Sequence, residues 1–480
     1  MSGILTGFFI YFAIVLGIGF AASYYRPIKT VDDFILGQRG FGSVVSGLAA
    51  GTTLASGYAF IGLVAMGYGM GFLALYQAIF CPILDFVCWR YLGPKMRRYS
   101  EKYNAITPVE ILASLRGDPY DLIKIIGGLV VGIFMFVYLG SNFMAGGKAA
   151  IVLNVDYNVA VIGGAIIVIL YTMSGGATAV YWTDALQGAL MMALCFLMPA
   201  VAIAHIGGIG AFITQLHQID PILPSWSGGQ VGWPLFVALW MWTSVAVGFL
   251  GQPQSLQKFI TIESEEKLPA GAFVAVLFNM VRQYFPLILG MCGRIIFPAL
   301  SDPEYTTPTF ISEFFPNIIG GLLLAAIFSA IMSTTDSLLL QGTSEIVRNV
   351  LQNGFLRSQQ LSKKFYERAS RVVTLVLGIT ALALALLGVD TVFFLVLLAF
   401  AGLAASIGPA MFAGFYWRRT TSWGILAGII SGTIATFIWY NGSNKLFGLH
   451  EGLPSFVIAS ITVVVVSLLT KPSPEADKEL

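Results

Sequence analysis

The stretch Ala330-Ile331-Met332-Ser333-Thr334-Thr335-Asp336-Ser337 sets hydroxyls and a carboxylate inside a run otherwise as apolar as lipid. Leu322-Leu323-Leu324-Ala325-Ala326-Ile327-Phe328 precedes it and Leu338-Leu339-Leu340 follows. Ala330, Ser333 and Thr334 stand at i, i+3 and i+4, so they share one helical face. Ser333, Asp336 and Ser337 repeat the spacing on an overlapping face. A hydroxyl buried in hydrocarbon can bond back to a carbonyl of its own helix. A buried carboxylate cannot be satisfied that way and needs a cation or a proton. Neutral oxygens of this kind also suit a small hard cation.

The rest of the 480-residue chain agrees with a lipid setting: 57% of it is hydrophobic and only 10% charged, far from the balance of a soluble domain. Thirteen apolar segments reach the ~20 residues needed to span a bilayer. They run approximately 4–24, 42–68, 72–94, 122–148, 159–175, 181–205, 232–255, 268–292, 317–350, 369–388, 391–417, 421–440 and 454–470. The expected class is an all-α integral membrane protein. The first segment lacks a preceding Lys or Arg and is followed by basic residues, so it reads as retained rather than cleaved.

Basic residues orient the segments. With the N-terminus outside, only Lys148, Arg294 and Lys445 fall in outside loops and Arg282 falls within a span. The other 22 of the 26 Lys and Arg are then inside, the bias expected of cytoplasmic loops. This places the chain in the cell membrane with a cytoplasmic C-terminus. A net charge of +2 gives no footing for a nucleic-acid partner. The four cysteines lie in apolar runs and the three histidines are far apart. Neither a disulfide framework nor metal-ligand spacing follows. No phosphate-cradling loop or nucleophile constellation is present, which speaks against an enzyme.

Some loops carry local signals. Thr107-Pro108-Val109-Glu110 reads as a capping box opening a short inside helix that ends at Gly117. The stretch 206–231 reads as a cover over the outer mouth, 351–368 as a solvated inside linker, and Pro472–Leu480 of the cytoplasmic tail 471–480 as disordered. Asp85 lies about a turn from Arg90, an expected ion pair. Lys148 is expected to snorkel outward, and Arg282 has no evident partner.

Two spans look interrupted: the second at Gly51-Thr52-Thr53-Leu54-Ala55-Ser56-Gly57, the seventh at Gly248-Phe249-Leu250-Gly251-Gln252-Pro253. Glycine and proline weaken the backbone ladder there. The two spans are five apart, and units of five helices have opposite topology because five is odd. Broken segments at matching places in two inverted halves point to a transporter binding site.

On these segments, together with Asp32-Asp33-Phe34-Ile35-Leu36-Gly37-Gln38-Arg39, Gly175-Gly176, Ala179-Val180 and Trp182-Thr183-Asp184, the chain resembles the sodium/solute symporter family, most of all its proline-carrying members. The resemblance implies a leucine-transporter-type fold with a 5+5 inverted repeat. One helix (4–24) precedes the first repeat (42–205), the second repeat spans 232–417, and two further helices occupy 421–470. It implies sodium ligands at the carbonyls of Thr52, Ala55 and Ala330 and the hydroxyls of Ser333 and Thr334. It links Asp184 to ion use, with Asp336 and Ser337 one turn along as a possible second ion or proton site. The Asp at 336 departs from the small residue expected there. The substrate positions carried over are Ser56, Gly57, Tyr58, Tyr138, Val245 and Phe249. Val245 replaces a tryptophan of the proline-carrying members, which enlarges the pocket.

The resulting expectation is a secondary transporter that brings a small organic solute, an amino acid such as proline or a carboxylate, into the cell with sodium. Proton coupling through Asp184 or Asp336 is the alternative within the same class. A solute-binding sensory domain is the alternative of another class.

Overall fold

The computed structural model describes residues 40–153, 155–359, 361–388, 391–441 and 449–471, with scattered positions between 3 and 17. Most of the segment 4–24, the motif Asp32–Arg39 and the tail 472–480 lie outside the described residues.

The first part of the chain contains α1 (Ser43–Thr53), α2 (Leu63–Met70), α3 (Leu75–Val87), α4 (Gly93–Tyr103), α5 (Pro108–Arg116), α6 (Leu122–Ala149) and α7 (Tyr157–Ile206). An outer loop holds α8 (Ile209–Ile219). Then come α9 (Trp233–Val247), α10 (Pro253–Thr261), α11 (Leu268–Ile296), α12 (Thr306–Phe314) and α13 (Asn317–Ser344). The chain closes with α14 (Lys363–Leu387), α15 (Val392–Tyr416), α16 (Ser422–Asn441) and α17 (Gly452–Leu469).

Among the described residues, ten helices are long and apolar enough to cross a membrane, so the expected thirteen are not all seen there. The first expected span falls largely outside these residues. The second is broken into α1 and α2, and 159–175 belongs to a stretch too short to qualify.

The helix α7 runs 50 residues, where the sequence reads two spans. Drawn straight it would measure about 75 Å at 1.5 Å per residue, more than twice a ~30 Å hydrocarbon core. Its contacts on α13 show it doubling back. Val161 and Ala165 share a cleft with Phe328 and Met332, and Thr172 meets Asp336. Asp184 then returns to Ser333, and Leu186 and Leu190 pack by Ala325. The two halves therefore lie antiparallel along α13.

Position in the bundle follows composition. In the most apolar part of α15, 94% of residues are inside the protein, against 28% for α14. The helix α15, with its Gly and Ala steps, is a central pillar, whereas α14 turns its apolar side chains outward, as lipid-facing helices do. The short helix α5 starts as its sequence dictates. Thr107 Oγ1 accepts the Glu110 amide at 3.1 Å, and Glu110 Oε2 accepts the Ile106 amide at 2.9 Å. Arg116, at the last turn of α5, is buried and donates to the carbonyls of Gly414 and Trp417 at the end of α15. It satisfies helix-end acceptors that would otherwise be orphaned.

The stretch after α8 packs on the break between α2 and α3: Phe72 N donates to Leu223 O at 2.8 Å, and Trp226 packs on Phe72 and Tyr76. The stretch expected as a solvated linker is helical at first. A π-helix covers Glu345–Phe355, and α14 begins at Lys363.

Candidate ion and solute site

The ladder of α1 stops at Thr53. Leu54 still has helical angles, but Ser56 has φ +48°, a left-handed conformation that costs a non-glycine residue about 1–2 kcal/mol. The next residue, Gly57, is glycine of necessity. A Cβ there would lie 2.2 Å from Ala145 Cβ on α6. The chain then resumes as a π-turn, Tyr58–Gly62.

Loose backbone at such a break needs partners in an apolar interior, and α13 and α6 supply them. Ser56 N donates to Thr334 Oγ1 at 3.0 Å, and Thr334 Oγ1 donates to Thr52 O at 3.4 Å. Gly57 N donates to Asn142 Oδ1 at 3.1 Å. One turn further along α13, Ser337 Oγ meets Thr53 Oγ1 at 3.1 Å. Thr52, Ser56 and Thr334 are therefore brought together. Ala55 lies inside the break, its carbonyl accepting from Ala59 N at 3.0 Å. Ala330 is fully buried one turn before Thr334. Ser333 turns its hydroxyl to Asp184.

The second break follows the same logic. After α9, a 3₁₀ turn covers Gly248–Gly251 and Gln252 is extended at ψ 102° before Pro253 opens α10. A Cβ on Gly251 would stand 2.3 Å from the Leu403 carbonyl of α15. Gln252 Nε2 donates to the Gly248 carbonyl at 3.0 Å, replacing a bond that the break removes.

Asp184 and Asp336 are both buried and do not share a bond. Asp336 accepts from Thr172. Asp184 accepts from Ser333 and, at 3.5 Å, faces Lys258 Nζ. The Lys258 ammonium also reaches Ser337 Oγ at 3.5 Å and lies 4.0 Å from the centre of the Tyr181 ring. Sequence reading assigns Lys258 to an inside loop; the structure buries it at 3% exposure. The amphipathic run after Pro253 is the signal for this: α10 turns Lys258 inward against the Asp184 carboxylate.

Two other expected partnerships are corrected. Asp85 does not pair with Arg90: its Oδ2 accepts from Asn279 Nδ2 of α11 at 2.9 Å, and Arg90 lies over the Tyr91 ring. Lys148 does not snorkel freely. It is held by Asp302 at 2.7 Å and by Glu304, which ties the end of α6 to the loop before α12.

A small void of about 10 Å³ adjoins the first break. Tyr58, Val245 and Phe249, three of the expected solute positions, line it. Tyr138 lies behind it, edge-on to Phe400 at 5.5 Å. Ser56 and Gly57 are not on its wall; they sit at the break itself. Gln77, Cys81, Arg282, Gln283 and Phe400 also line it, and none was singled out as a solute contact from sequence. Gln77 Nε2 bonds the Tyr58 hydroxyl and donates to Gln283 Oε1 at 3.1 Å. At this size it has room for about one water, far below the ~300–1,000 Å³ usual for ligand pockets, so the side chains around Tyr58 are closed on one another.

The comparisons agree with this architecture. A match to the sodium:solute symporter family covers residues 34–432. The chain is 31% identical to the sodium/proline symporter of Staphylococcus aureus (strain bovine RF122 / ET3-1), over 96% of this chain and 92% of that protein. It is 31% identical to the high-affinity proline transporter PutP of Bacillus subtilis (strain 168), over 96% and 97%. A solved Na+-coupled sialic acid symporter matches its fold with a TM-score of 0.81 at 19% identity, covering 98% of each chain. The nucleobase-cation-symport-1 family transporter MHP1 follows at 0.57 and 14%, covering 93% and 97%. The fold is of the leucine-transporter type, and the chain belongs to the sodium:solute symporter family.

Proposed function

We propose that this protein takes up a small organic solute, an amino acid such as proline or another carboxylate, together with sodium, by alternating access. Its relatives named as proline transporters support an amino-acid substrate. The observation that carries the reading is the junction of Ser56, Thr52 and Thr334, where a hydroxyl of α13 meets loose backbone of the broken span.

In this reading sodium enters from outside and is held by the carbonyls of Thr52, Ala55 and Ala330 and the hydroxyls of Ser333 and Thr334. The oxygens are neutral, so the site gains one positive charge on filling and releases it without a trapped counter-charge. With the ion in place, the first break and α13 move as one body, which completes the solute cavity beside Tyr58. Coupling arises because each ligand favours the state in which the other also binds. Asp184 belongs to the same region but is neutralised by Lys258, which favours sodium over a proton as the driving ion. The N-terminus lies outside and residues 42–205 and 232–417 form the inverted repeats.

The test is uptake in proteoliposomes under an inward sodium gradient, compared with a pH gradient without sodium. Thermal shifts of the purified protein with candidate solutes, with and without sodium, accompany it, since a ligand bound to the folded form raises its stability. Sodium-driven uptake and a sodium-dependent solute shift are expected. Uptake driven equally well by a pH gradient alone overturns the sodium assignment.

A further inference from the structure

Arg282 stands halfway along α11, 2% exposed. It lines the void beside Tyr58, and its guanidinium lies 5.8 Å from the centre of the Phe249 ring. Among the described residues it makes no hydrogen bond or ion pair, and its Nε is buried without an acceptor. Such a group is costly in a membrane interior, and ionisable side chains there are rare outside functional sites. Asp85 is within electrostatic reach, but its carboxylate is engaged by Asn279 rather than by the guanidinium.

Resting on the symport reading above, we propose that Arg282 receives the carboxylate of the transported solute and so restricts this transporter to organic acids and amino acids. A guanidinium offers a planar fork of donors that matches two carboxylate oxygens. Here Arg282 borders a void whose exposed wall is mostly apolar. Gln77 Oε1, buried and also without a donor, borders the same void as an acceptor for a solute hydroxyl or amino group. The pair, an unmatched donor and an unmatched acceptor across one small space, is complementary to an acid carrying a second polar group. A neutral solute would leave the guanidinium unmet, and discrimination against it is strong because the unpaired group is buried.

The test uses the full-length protein and acids paired with their amides: L-proline with L-prolinamide, pyruvate with pyruvamide, propionate with propionamide. In sodium, at least one acid is expected to stabilise the protein and its amide is not. Arg282→Gln is expected to weaken acid binding about tenfold to a hundredfold, the range for a lost charge-assisted bond, and Arg282→Lys to weaken it less. The shift produced by sodium alone is expected to persist in Arg282→Gln, which shows that the variant folds and reports on the ion site separately. If sodium alone shifts nothing in the wild type, the ion site is wrong, while the acid–amide contrast still judges Arg282. The proposal falls if amides bind as well as acids, if no acid binds, or if Arg282→Gln stays within twofold. It also falls if Asp85→Asn/Arg282→Gln takes up the acid like the wild type, since Arg282 would then only balance Asp85.

Discussion

The Ser56 amide and the Thr334 hydroxyl, 278 residues apart in the chain, share a hydrogen bond of 3.0 Å that closes the gap in the first broken span. The same hydroxyl donates to Thr52 O. One side chain thus serves both edges of the break, and any cation seated there must compete with or recruit that hydroxyl.

Removing it is expected to show in ion dependence. Thr334→Ala and Ser333→Ala should each raise the sodium concentration for half-maximal uptake, with a milder loss at saturating sodium. Thr334→Ala should also cost about 1–3 kcal/mol of stability, because the buried Ser56 amide is left unmet; Thr334→Ser should restore most of it. Uptake measured against sodium concentration decides, and unchanged curves in both alanine variants would remove the ion site from this face.

The buried pair Asp184–Lys258 leads to a second expectation. Lys258→Met leaves a carboxylate unpaired in the interior, and breaking one side of such a pair costs about 3–5 kcal/mol. Adding Asp184→Asn should recover much of the thermal stability, because both charges are then gone. Asp336→Asn keeps a partner for Thr172 and should leave sodium-driven uptake largely intact. A variant Asp336→Asn that folds but transports nothing would instead point to a proton at that carboxylate.

The close approach at Gly57 offers a purely steric test. Gly57→Ala drives a methyl into Ala145, 2.2 Å away, and overpacking of this kind costs about 1–3 kcal/mol. Uptake should fall as the break is pushed off α6. Ala145→Gly in the same chain should return both stability and uptake, as measured by melting and initial rates. A Gly57→Ala protein that melts and transports like the wild type would show that the contact is soft.

At the same end of α6, one turn beyond Ala145, Lys148 clasps Asp302 and the buried Glu304. Lying outside the spans, Glu304 has its carboxyl pKa raised above the usual range by burial, with Lys148 pulling it back down. Lys148→Met strands that carboxylate and should lower the melting temperature more at neutral pH than in mild acid, where Glu304 takes up a proton. Lys148→Met/Glu304→Gln should flatten this dependence. A melting curve for Lys148→Met that shifts equally at both pH values would assign the loss to packing alone.

Local patterns in the chain were enough to establish the apolar helices, the two interruptions and the hydroxyl face of residues 330–337. Hydrophobic runs, glycine and proline, and 3/4 spacing act over one or two turns, so the sequence displays them directly. The capping box at Thr107–Glu110 was readable for the same reason. What each buried charge meets was not. Asp85 turned from Arg90 to Asn279, Lys148 from solvent to Glu304, and Lys258 from a loop to Asp184. Arg282 acquired a cavity. A charge in a low-dielectric interior is governed by whichever group the neighbouring helices bring within a few ångströms, and that choice is made only when the helices pack.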